Sequence, residues 1–168
     1  MLVAALFTTA CQSQVTTTLD LVVAAADAAV TALQATDQLP PGSAALLNTY
    51  LSDVTAAVDY ATAELASADT PAVMASKITA EFAAIAVPQL PPGVAAAVGV
   101  TIQAVANAVA KFLSSIQATA AALTATPDGA RAFFASGKLK LTRGDRAALP
   151  KIRAKNAAVK AKLAALKK

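Results

Sequence analysis

Apolar residues recur along this chain at alternating spacings of four and three. Val15, Leu19, Val22, Ala26, Ala29 and Leu33 follow this rule, and it predicts a first helix from about Val15 to Thr36. The rule repeats over Leu47, Leu51, Val54, Val58, Ala61 and Leu65, a second helix from about Ser43 to Ser67. A shorter third run, Met74, Ile78, Phe82 and Ile85, predicts a helix over about Pro71 to Val87, capped by Asp69 or Thr70, with Pro71 at its first position. Val98, Ile102, Val105, Val109, Phe112, Ile116 and Leu123 mark a fourth, about Val94 to Thr124. Seams of this kind belong to helices packed at shallow angles.

The string Gln-Leu-Pro-Pro-Gly occurs at residues 38–42 and again at 89–93, an offset of 51 residues, and each copy lies between two such runs. Proline cannot continue a helix and restricts the residue before it, so both strings are turns. The expected fold is all-α: an antiparallel four-helix bundle over residues 12–125 made from a duplicated αα-hairpin (repeats about 15–67 and 66–124). Hairpins that stack with other copies are the alternative.

Beyond the bundle, Thr126 to Gly137 reads as a short capped helix. Thr142-Arg143-Gly144-Asp145 has the spacing of a capping box. The last helix, which Pro150 should interrupt or kink, carries Ile152, Val159, Leu163 and Leu166 in one stripe with Asn156 as its polar member. Lys151, Arg153, Lys155, Lys160 and Lys162 flank the stripe, and Lys167 and Lys168 end the chain.

Charge sharpens this division. Residues 1–130 sum to −7, whereas residues 131–168, with twelve basic side chains and one acidic, sum to +11. The arm, residues 126–168, is thus expected to contact an anionic surface through Lys151, Arg153, Lys155, Lys160, Lys162, Lys167 and Lys168. An anionic membrane or envelope polymer suits a basic amphipathic helix whose lysines snorkel. Nucleic acid fits less well, since the helix has no aromatic residue for stacking. The other outcome is that the basic arm folds back on the acidic body as a fifth helix.

Of the 168 residues 57% are hydrophobic but only 4% aromatic, so alanine dominates and helix axes can approach closely. Histidine is absent and Cys11 is the one cysteine. That removes His-based acid/base and nucleophile systems, His- or Cys-cluster metal sites and any intramolecular disulfide. No phosphate-loop, dinucleotide, nucleophile-elbow or EF-hand motif is present, so no catalytic residue, cofactor or metal is assigned and a non-enzyme is expected. Asp20 and Asp27, and the group Asp53, Asp59 and Glu64, are expected to be solvated helix faces; Tyr50 and Tyr60, packing residues.

Met1 to Ala10 reads MLVAALFTTA and precedes Cys11-Gln12-Ser13. This resembles the end of a bacterial lipoprotein signal peptide, in which small residues precede a cysteine that becomes lipidated. Thr9 and Ala10 match; Thr8 stands where Leu is usual, and no basic residue precedes the run. The resemblance covers residues 1–12 and implies lipidation at Cys11 and a cell-envelope location. From Phe82 to Ala110 there are 29 residues without a formal charge, which also fits a proline-kinked membrane pair. The opposing class is a cytosolic or phage-encoded structural subunit, a homo-oligomer assembled through apolar helix faces.

Overall fold

The computed structural model describes residues 2–36, 39–67, 69–125 and 143–166, with side-chain surroundings for 14–36, 39–67, 69–70, 72–121 and 144–166. Among these residues the chain is all-helical, with five α-helices and no β-strand. They are α1 (Leu2–Ala35), α2 (Pro41–Leu65), α3 (Pro71–Ala83), α4 (Pro92–Ala125) and α5 (Arg143–Leu166). The expected short helix over 126–137 lies outside the described residues.

Proline sets most of the boundaries. Pro40 holds φ −53° and ψ 136°, and Pro41 opens α2 at the position where a missing N–H costs nothing. The amides of Ser43 and Ala44 both donate to the Pro40 carbonyl, and those of Val94 and Ala95 to the Pro91 carbonyl. The two copies of the repeated string therefore start α2 and α4 in the same way, two residues earlier than periodicity alone suggested. Thr70 caps α3, accepting from the Val73 amide at 3.3 Å. That helix stops at Ala83 rather than near Val87, because the Pro88 ring would meet the carbonyl of Ala84. At the other end α1 runs through Cys11 without a break, starting well before Val15.

Helix α1 packs on α4, α5 and α2; α3 packs between α2 and α4; and α5 packs on α1 and α2. Leu19, Leu47, Leu51, Met74, Ile78 and Phe112 are fully enclosed, and buried alanines at 26, 29, 57, 61 and 75 let the axes approach. Phe82 meets Phe112 edge-on at 5.4 Å. Val109 and Ile85, expected in the seam, are only half-buried.

The buried stripes of α2 and α4 keep one register. Positions 43, 47, 51, 54, 57, 61 and 65 are buried, as are 94, 98, 102, 105, 108, 112 and 116, each 51 residues on. Val22, Val23, Ala26 and Val30 of α1 correspond in the same way to Met74, Ala75, Ile78 and Phe82 of α3, now 52 residues on. The step from Phe82 to Val94 is one residue shorter than the matching step from Val30 to Ser43, although more of it lies outside helix.

Candidate functional site

Leu149, Ile152, Asn156, Val159 and Leu163 of α5 are spaced three and four apart, and all are buried. They form the inner face of the helix. The basic side chains diverge from this line on two sides. On one, Lys155 Nζ donates to both carboxylate oxygens of Asp20 at 2.8 Å, and Lys162 Nζ donates to Asp27 Oδ1 at 2.6 Å. On the other, Arg153 spans Thr62, its Nε donating to Oγ1 at 3.1 Å and its Nη2 to the carbonyl at 2.9 Å, and Lys160 Nζ donates to Asp59 Oδ2 at 2.7 Å. Ascending contacts along α1 and descending ones along α2 set α5 parallel to α1 and antiparallel to α2.

Two buried polar residues fix the position of the helix. Asn156 Nδ2 donates to the Thr55 carbonyl at 2.8 Å and to Asp59 Oδ1 at 2.7 Å, while its Oδ1 is enclosed without a hydrogen bond. At the first turn Asp145 accepts a 2.6 Å hydrogen bond from the Thr16 hydroxyl. A carboxylate there also complements the helix dipole. Helix α5 continues through Pro150, so the interruption that the proline could have caused does not occur. It is exposed, so the Arg146 carbonyl left without its helical donor is on the outer side of the helix, within reach of water.

Of the residues proposed to meet an anionic surface, Arg153, Lys155, Lys160 and Lys162 are thus engaged with α1 and α2. The three lysines remain roughly half-exposed, as do their aspartates. Lys151 points to solvent, as does Arg146. Lys167 and Lys168 lie outside the described residues, as does the Cys11 side chain. The signal for the docking was present in the sequence: Asp20 and Asp27 are seven apart, and so are Lys155 and Lys162. Taken one helix at a time, the aspartates are a solvated face, and only the match between the two spacings points to the docking.

Other polar contacts among the described residues lie apart from this joint. Lys77 bridges Asp69 and reaches Glu64 at 3.5 Å. The hydrogen bond to Lys77 and its charge hold the Asp69 carboxyl below the usual range, and Asp69 in turn raises the Lys77 ammonium. Burial pushes the phenols of Tyr50 and Tyr60 upward, with the Glu64 charge adding to the effect at Tyr60, so both stay neutral at pH 7. Among the described residues no group of three or more His, Cys, Asp or Glu is placed to hold a metal ion. A shallow open groove of about 480 Å³ lies between α3 and α4, lined by alanines with Ser76, Thr79 and Gln117.

Among the described residues two helices are long and apolar enough to cross a membrane by length and composition. They are α1 over Gln14–Ala35, mean hydropathy 1.4, and α4 over Pro92–Ala121, mean hydropathy 1.6. They pack against each other, with Thr18 Oγ1 2.8 Å from Ser115 Oγ. Comparison of the chain with protein-family models, with characterised proteins and with solved structures finds no match. The class defined by the fold is therefore that of an all-α, alanine-rich helical protein.

Proposed function

We propose that the chain is a non-catalytic helical-bundle protein of the cell envelope, whose basic C-terminal helix meets an anionic surface. In this reading α1 to α4 are an antiparallel four-helix bundle descended from a duplicated hairpin, and Cys11 is a lipid attachment site. The matched burial 51 residues apart in α2 and α4, opened by identical prolines, supports the duplication. The observation that carries the functional reading is the cationic side of α5. Lys151 and Arg146 are exposed, and Lys155, Lys160 and Lys162 keep about half their side-chain surface in water even when paired. A bilayer or envelope polymer with phosphate groups is the matching surface.

The full chain is expected to co-sediment with phosphatidylglycerol vesicles and not with phosphatidylcholine vesicles. Binding should fall steeply as salt rises, because charge attraction is screened over about 8 Å at physiological ionic strength. Equal binding to both vesicle types would refute the reading. Intact mass of protein from its native host tests Cys11 separately, since lipidation removes residues 1–10.

One observation favours self-association as a second reading. Of the 18-residue apolar window within Pro92–Ala121 only 28% is buried, and Val100 of the same helix is 82% exposed. If α4 is a contact between copies, sedimentation equilibrium will show an oligomer that Val100→Lys converts to monomer. A monomer at every concentration for the unaltered chain rules this reading out.

A further inference from the structure

The α5 interface differs in kind from the rest of the core. Seven polar or charged residues are buried among the described residues, and five of them, Thr16, Thr55, Thr62, Asp145 and Asn156, meet at this one joint. Elsewhere the packing is almost wholly apolar, as along Leu19, Leu47, Leu51, Val54, Ile78 and Phe112. The joint is also the only place where the described lysines of the arm meet carboxylates, and all three ion pairs are open to solvent. Pairs of that kind are weak and are screened by salt. Asn156 adds register, but its enclosed Oδ1 lacks a hydrogen bond, which lowers the affinity of the seat for the helix.

We propose that α5 is a releasable latch: its seat on α1 and α2 and an anionic lipid surface compete for the same face of the helix. The inference rests on the anionic-surface reading above. The stripe that would enter a bilayer, Ile152, Val159 and Leu163, is the stripe the seat encloses, so α5 cannot use it for both at once. The lysines that would meet lipid phosphates, Lys155, Lys160 and Lys162, are the ones held by Asp20, Asp59 and Asp27. Apolar burial of the stripe is available in either place, so it does not decide between them. Leaving the seat uncovers part of α1 and α2, but that surface carries the hydroxyls of Thr16, Thr55 and Thr62, which water can solvate. The charge on the competing surface therefore sets the balance. A neutral bilayer leaves the latch closed, and a dense layer of phosphates opens it, leaving the α1–α4 and α3–α4 packing in place.

Hydrogen exchange of the full chain, read by mass spectrometry with phosphatidylglycerol vesicles, tests this. Residues 54–65 and 15–27 are expected to exchange at least about tenfold faster on vesicle binding, while residues 149–166 slow down. Phosphatidylcholine vesicles should change neither. A second arm uses variants on α2 that leave α5 itself intact. Asp59→Asn removes the charge that pairs with Lys160 while keeping one oxygen to accept from the Asn156 amide, and should bind at a several-fold lower phosphatidylglycerol fraction. Asp53→Asn, an equal change of charge at an exposed position of α2, should bind as the unaltered chain does. Absence of vesicle binding overturns the anionic-surface reading and the latch with it. Binding with unchanged exchange at 54–65 overturns the latch alone, as does an equal shift from Asp53→Asn and Asp59→Asn.

Discussion

Phe112→Asp is expected to abolish the cooperative thermal transition. Phe112 is fully enclosed and packs edge-on against Phe82, so the contact joins α4 to α3 across the molecule. An aspartate there places a charge among apolar side chains with no cation to pair with it, since neighbouring Lys111 is exposed and turned about 100° away around α4. Even Phe112→Ala should cost about 3–5 kcal/mol, counting lost burial and the cavity left behind. That is a large share of the roughly 5–15 kcal/mol by which domains of this kind are stable. Val100→Asp on the same helix, at a position 82% exposed, should change stability by no more than about 0.5 kcal/mol. Thermal melts followed by far-ultraviolet circular dichroism compare the three. If Val100→Asp were the more damaging, the inner and outer faces of α4 would have been exchanged.

Ile152→Asp is expected to undock α5 and lower the melting temperature in the absence of any lipid. Ile152 lies in the middle of the buried stripe, and a charge there has no partner on α1 or α2. The helix would leave its seat rather than bury the carboxylate. The burial of Leu149, Val159 and Leu163, each a contribution of about 1.5–3 kcal/mol before conformational entropy is deducted, would then be lost. A net loss of about 3 kcal/mol or more is expected. Asp27→Asn, which breaks only the exposed pair with Lys162, should cost no more than about 1 kcal/mol. The ranking separates packing from charge as the source of docking. Were Asp27→Asn the more damaging of the two, charge rather than the stripe would hold the helix.

How much of this was legible beforehand differs between the core and the site. The six seam residues named for α2 are all buried, because a helix that must shield one face repeats its apolar residues at three and four whatever it packs against. Boundaries were less legible. Periodicity placed the start of α2 at Ser43, whereas the Pro40–Pro41 geometry begins it at Pro41. The end of α3 was set by the clash of Pro88 with a carbonyl four residues earlier, which an apolar pattern running on to Ile85 and Val87 does not report.

The docking of α5 was open on the sequence, and the reason is physical. An apolar stripe flanked by lysines satisfies a bilayer, a polyanion or an acidic protein face by the same contacts. Five aspartates and glutamates on α1 and α2 offer such a face at several registers. Choosing among them takes partners far apart in the chain: Lys155 with Asp20 and Lys162 with Asp27, each 135 residues away, and Asn156 with Asp59, 97 away. Local composition by itself determined helices, turns, the inner face of each helix and the division into an acidic body and a basic arm, because these follow from near-neighbour sterics and from the period of the pattern. Only tertiary structure decided where the arm rests, because that choice depends on the summed packing and charge of three helices brought together at once.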